Sequence, residues 1–257
     1  MDFVSLFFNV QDALLAAVLG FARVAPTFFM LPFLNGSVLS GVMRITITML
    51  VALSLWPYPA AALPPWSETT YFVVVVQEVF IGLVLAVVLV LPFWIFHAIG
   101  NIIDNQRGAS MGSNVDPASG DETTDMGNLL HWFAAVVYLQ TGGLVLLLET
   151  FSMSYQICGP WQTCTPTVKA VVGVLNKTVA QALILSGPVI AALLLSEVLL
   201  GLLGRFAQQM NPFSLSLGLK SAIAIFVLFV YFSPILPGKV WSATVAPAAL
   251  VQWLTRN

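Results

Sequence analysis

Long apolar runs, interrupted by proline, glycine and a few charges, fill most of this chain, and six of them read as helices. The first, about Ala13 to Phe33, matches the roughly 20 apolar residues that a bilayer crossing needs. It carries Arg23, Pro26 and Pro32, and the prolines predict a kink or break because each withholds a backbone donor and crowds the preceding turn. The second, Val42 to about Leu55, is entered through Arg44 and closes on the proline-rich WPYPAAALPPW. The third, about Tyr71 to Ile99, contains Glu78 and Pro92 and is longer than a straight span, so tilt, a kink or an extension beyond the bilayer has to absorb the excess. The fourth runs from Leu129 to Leu148 and ends at Glu149. The fifth, about Val179 to Gly204, carries Pro188 and Glu197. The sixth, about Leu215 to Leu236, has Lys220 near its start and Pro234 and Pro237 at its end. A last stretch, Val240 to Leu254, is moderately apolar, with Trp241 and Trp253 suited to a membrane interface. The pattern predicts an all-α, membrane-type fold of about six long, kinked helices.

One polar island stands between the third and fourth runs: Asn101 to Asn128, NIIDNQRGASMGSNVDPASGDETTDMGN. The chain has nine basic and eleven acidic residues, and six of them (Asp104, Arg107, Asp116, Asp121, Glu122 and Asp125) lie in this stretch. Its composition, rich in Gly, Ser and Asn, predicts a loop.

Composition sharpens the membrane reading. Hydrophobic residues make up 59% and charged residues 8%, with a mean hydropathy of +0.94. Soluble domains carry about 25% charged residues. No low-complexity linker divides the 257 residues, so one helical unit is expected. The net charge of -2 and the scattered cations argue against nucleic acid as a partner. Asp2 in place of a basic leader argues against a cleaved signal peptide. Charge bias does not orient the six spans: Arg44, Arg107, Arg205 and Lys220 fall on one side, Lys169, Lys177, Lys239 and Arg256 on the other.

Arg23, Glu78, Glu197 and Lys220 stand inside or at the edge of apolar runs, where a charge facing lipid costs about 2.5 to 3.5 kcal/mol. They must face other helices or water. An ion path and polar contacts at subunit interfaces both satisfy that; the contacts are preferred, because no second acid or histidine stands at helical spacing beside each charge. Two of the acids sit in an echo. QEVFIGLVLA and SEVLLGLLGR share E-V-x-x-G-L, which places Glu78 one turn from Gly82 and Glu197 one turn from Gly201. A glycine admits a neighbouring backbone, and the carboxylate can find a donor on it. The echo suggests two equivalent helical hairpins.

Cys158 and Cys164, in CGPWQTC, can close a small disulfide loop if this segment faces an oxidising compartment such as a periplasm, or remain free thiols. No cofactor or metal is expected: His97 and His131 are the only histidines, and no CxxC or HxxxH pattern accompanies them. HExxH, Walker and GxGxxG patterns are missing as well, and GASMG at Gly108 to Gly112 lacks the strand and helix context that a glycine-flanked catalytic or phosphate-binding motif needs. Asp104, Arg107 and His131 do not by their spacing make a catalytic set, so an enzyme is not expected.

Taken together, ARVAPTFFMLPFL at Ala22 to Leu34, the Arg44 entry, QEVFIGLVLA, the island opening GNIIDNQRGAS with Asp116-Pro117, and above all RFAQQMNPFSLSLGLK at Arg205 to Lys220 resemble the T subunit of the type III secretion export gate. This is the SctT/YscT/SpaR/HrcT family, homologous to flagellar FliR, and the resemblance covers essentially the whole chain. Gly218 replaces a proline common in the flagellar form, and the cysteine loop is longer and more polar, which favours the virulence branch. The resemblance implies a non-enzymatic subunit of a bacterial inner-membrane assembly, one T copy with five R-type and four S-type subunits, built from bent helical hairpins and raised toward the periplasm. It implies an R-like portion over about 1–170, holding the 101–128 loop, and an S-like hairpin over about 171–257. The switch-type U subunit and the large V-type subunit are implied neighbours. Unfolded substrate proteins pass through the centre, powered by a cytoplasmic ATPase and the proton-motive force.

For the island the family implies a plug that helps close the channel. Asn105, Gln106, Arg107, Gly108, Ser110, Met111, Gly112 and Ser113 form its expected gating part, and Asp116 to Asp125 its hydrated return. Glu78, Gly82, Glu197, Gly201, Arg205, Gln209, Asn211, Phe213 and Lys220 are expected at subunit interfaces. The alternative from another class is a secondary transporter or channel with Glu78 and Glu197 as coupling carboxylates.

Overall fold

The computed structural model describes residues 3–36, 38–58, 68–108, 124–160, 162, 164, 168–206 and 212–244. Every regular element among them is helical. Helix α1 (Phe3–Met30) passes through Pro26 without interruption. The break predicted in this segment comes after it, at a 3-10 turn over Pro32–Leu34. Helix α2 (Gly41–Leu55) is 15 residues long and turns back along α1. A Cβ on Gly20 would lie 3.2 Å from the Ala52 carbonyl oxygen, so glycine lets these two backbones approach closely.

Helix α3 (Glu68–Arg107) is 40 residues long, and neither Pro92 nor the polar residues from Asn101 onward end it. The island therefore starts later than its composition suggests: Asn101 to Arg107 are the last two turns of α3. The fourth apolar run differs in the opposite sense. It is broken in two, as α4 (Asp125–Gln140) and α5 (Gly143–Ile157). Gly142 has φ +87, a left-handed conformation that costs glycine nothing and stops the helix. Helix α6 (Val168–Phe206) runs 39 residues through Pro188. Helix α7 (Pro212–Val227) starts on a proline, whose missing N–H is no loss in a first turn. It passes through a π-helical turn over Leu228–Phe232 into α8 (Ser233–Ala243), bending by 74° just before Pro234, while Pro237 lies inside α8.

Among the described residues, three helices are long and apolar enough to cross a membrane, Ala13–Met30, Tyr71–Arg107 and Leu175–Phe206, or five if each of two bent pairs is one span. The described residues fall into two compact units, each discontinuous in sequence. The first holds described residues up to Val90, those of the stretch Gly142–Val174, and Thr244; its core includes Leu19, Phe28, Ile81, Leu147 and Phe151. The second holds Leu91–Thr141 and Leu175–Ala243, and its core includes Phe93, Phe96, Ile103, Leu130 and Val189. In this second unit α4, α7 and α8 border an apolar cavity of about 440 Å³, lined among others by Met126, Phe133, Ile225, Phe229 and Leu236.

Candidate functional site

The polar loop is held at both feet by the end of α3 and the start of α4. Asp104, almost fully buried, accepts from Arg107 Nε through Oδ1 at 2.7 Å and from the Met126 backbone N–H through Oδ2 at 2.9 Å. One carboxylate thus caps the first turn of α4, where unpaired N–H groups favour an anion, and binds the last basic residue of α3. One turn earlier, Asn101 Oδ1 accepts from the Thr124 hydroxyl. Between them the backbones nearly touch: a Cβ on Gly100 would lie 2.4 Å from Gly127, and one on Gly127 would meet Asn101 Oδ1 at 2.2 Å. Gly108, with φ +79, then turns the chain off α3. Below this clamp His97 and His131 stack edge to face, ring centroids 5.5 Å apart. Among the described residues no group of three or more His, Cys, Asp or Glu is placed to hold a metal.

Of the expected plug residues, Asn105, Gln106 and Arg107 are helical and Gly108 is the turn. Asn105 and Gln106 are exposed, whereas Arg107 is tied to Asp104. Ser110, Met111, Gly112 and Ser113 lie outside the described residues. Asn105 to Arg107 are thus helical where a flexible loop was expected, and the turn off the helix comes at Gly108.

A second polar site lies in the other unit. Arg23, fully buried in α1, donates from Nε and Nη2 to the two carboxylate oxygens of Glu78 on α3, at 2.5 and 2.7 Å. Nη2 also donates to the Cys158 carbonyl at 2.8 Å, Nη1 to Ser154 Oγ at 3.4 Å, and the guanidinium lies 4.1 Å from the centre of the Tyr155 ring. The bidentate fork and its further acceptors compensate the desolvation of both ions. Tyr58 Oη donates to the Tyr155 carbonyl at 2.8 Å; burial pushes its phenol up from the ordinary value, with Arg23 acting against that shift. Cys158 and Cys164 are joined in a disulfide, with Cα atoms 6.1 Å apart.

The two halves of the E-V-x-x-G-L echo have opposite surroundings. Glu78, expected at a subunit contact, turns inward to Arg23, and Gly82 lies so close to α1 that a Cβ would stand 2.3 Å from the Arg23 carbonyl oxygen. That partner stands 55 positions away in sequence, with nothing local to announce it. Glu197, with 59% of its side chain exposed, meets Lys220 at 3.2 Å, and Gly201 has nothing within 4 Å of a Cβ position. Arg205 stands in the last turn of α6. Phe213 belongs to α7, and Gln209 and Asn211 lie outside the described residues.

A family described as "Bacterial export proteins, family 1" matches residues 14–241. The chain belongs to this family. It is 48% identical to the surface presentation of antigens protein SpaR of Salmonella typhimurium, over 98% of this chain and 95% of that one. It is 31% identical to the Yop proteins translocation protein T of Yersinia pestis, over 86% and 87%. With the flagellar biosynthetic protein FliR of Bacillus subtilis the identity is 25%, over 88% and 90%. The family's SpaR- and YscT-type members are thus nearer to this chain than the flagellar protein, as the motif resemblance had it. The family match spans both the buried ion pair and the clamped loop foot.

Proposed function

We propose that this chain is the T-type subunit of a type III protein secretion export gate: a non-catalytic, inner-membrane component that completes a channel for unfolded proteins and helps close it with the loop after α3. The full-length similarity to proteins named for antigen presentation and Yop translocation carries this reading. The loop supports it, since both its feet, Asn101 to Gly108 and Thr124 to Gly127, are clamped to one another. Its small residues suit a closure that fills a narrow passage and withdraws.

R-type and S-type subunits, with U- and V-type neighbours, are the proposed partners, and exported proteins the cargo. Residues of about 1–170 form the R-like portion and about 171–257 the S-like hairpin. The open face around Glu197, Gly201, Arg205 and Lys220 is the proposed contact with a neighbouring subunit. Glu78 and Gly82 serve instead within the subunit. A transporter that used Glu78 as a coupling carboxylate finds little support, because both its oxygens already accept from Arg23.

Deleting Ser110 to Gly120 tests the plug. The assembled gate should then leak ions in a conductance assay, and an unchanged closed conductance would refute the closing role. Co-purification tests the assembly: two smaller hydrophobic partners in fixed, unequal ratio support it, and a stable solitary monomer counts against it.

A further inference from the structure

The disulfide carries an inference of its own, which does not depend on whether the chain closes an export channel. Cys158 ends α5, is fully buried, and its carbonyl is one of the acceptors of the buried Arg23. Cys164 is only partly buried. Between them Gly159 packs against Tyr58, a Cβ there lying 2.9 Å from the phenol oxygen, and Gln77 Nε2 donates to the Gln162 carbonyl. Through Cys158, Gly159 and Gln162 the bridged turn is therefore the lid of the Arg23–Glu78 chamber, meeting Arg23 of α1, Tyr58 after α2 and Gln77 of α3.

We propose that the chain is a client of thiol–disulfide oxidation, that the connection from α5 to α6 faces an oxidising compartment, and that the bond formed there holds the Cys158 carbonyl on Arg23. Cys164 is the entry sulfur, being the one an external reagent can reach. Its thiolate attacks the disulfide of an oxidised dithiol protein, forming a mixed disulfide and releasing one thiolate of that protein. The Cys158 thiolate then attacks the Cys164 sulfur, the intramolecular bond forms, and the second thiolate of the donor leaves. Two protons and two electrons pass from Cys158 and Cys164 to the donor, which departs as a dithiol. In the bonded product Cys158 has no exposed surface, so a reductant must approach at Cys164 or wait for the lid to lift.

Four measurements test this. Chain isolated from membranes under acid quench, denatured and treated with a maleimide-linked polyethylene glycol, should gain two adducts only after reduction; two adducts without reduction would overturn the proposal. Dithiothreitol should reduce the native chain in mild detergent at least ten-fold more slowly than the denatured chain, and equal rates would show that the lid does not shield the bond. Tyr58→Phe, which removes one hydrogen bond at the rim and leaves the ion pair intact, should raise the native reduction rate; no change would sever the lid from the chamber. In the Cys158→Ser variant, the remaining Cys164 thiol should react in intact cells with a membrane-impermeant maleimide, while reaction only after lysis would place the connection on the reducing side.

Discussion

Arg23 and Glu78 are each an anomaly in an apolar helix, and together they are not. Each can be picked out from the sequence because it breaks a hydrophobic run; their meeting cannot, since composition holds no record of which helix faces which. The Cys158 carbonyl and the Tyr155 ring, which complete the chamber, left no mark in the sequence at all. Removing one partner leaves the other charge buried. Glu78→Gln is therefore expected to destabilise the chain by about 3 to 5 kcal/mol, and simultaneous replacement of both by apolar residues of similar volume by much less. Denaturant melts of the two single variants and the double variant in detergent measure this, and additive losses would mean that the pair is not coupled. The pair Glu197–Lys220 is the contrasting case. Its carboxylate is well exposed, so its loss alone is expected to cost about 1 kcal/mol or less in the isolated chain. Charge reversal at Glu197 is expected to lower the yield of assembled complex before any defect in transport appears; normal yield with lost secretion would reverse that order.

At the scale of elements, apolar periodicity revealed the helices but misplaced several ends. Of the two prolines expected to kink or break the first run, Pro32 marks the break and Pro26 sits inside α1, as Pro92 and Pro188 sit inside α3 and α6, because in a membrane-type helix neighbouring groups and local adjustment can absorb the missing hydrogen bond. Glycine was under-read: the stop between α4 and α5 rests on Gly142 in the pair Gly142-Gly143, whose left-handed conformation the apolar count ignores. The loop foot was half legible. Asp104 and Arg107 stand three apart, a spacing that lets them pair on a helical turn as they do, but the reach of Asp104 to Met126 across the island was not foreseeable. Asp104→Ala should cost about 1 to 3 kcal/mol, since it strips a charge-assisted acceptor from a buried N–H. Limited proteolysis should then cut within 109–123 faster, and an unchanged cleavage rate would show that the clamp does not restrain the loop. Gly127→Ala offers a second probe of the same joint. The added Cβ meets Asn101 and Thr124 inside contact distance, so a cysteine pair bridging α3 and α4 near the foot should form less efficiently in this variant than in its Gly127 parent.

For the whole molecule, the outward surface is the informative part. Among the described residues, large apolar side chains stand exposed on α2, α3, α6 and α7, with Val42 at 77%, Ile184 at 73% and Phe206 at 90%. Exposed apolar area on this scale belongs against lipid or against other subunits. Composition made that legible at once, whereas the division of the surface between lipid and protein is a property of the assembly that a single chain does not encode locally.

Helix α3 has a mechanical consequence. At 1.5 Å per residue its 40 residues make a beam about 60 Å long. Glu78 is bolted near one end by a bidentate ion pair, and Asp104 near the other by the clamp on α4. Such a member carries load along its axis without shortening. It is least stiff in bending where the backbone lacks a rung, at Pro92, whose ring nitrogen cannot pair with the Val88 carbonyl.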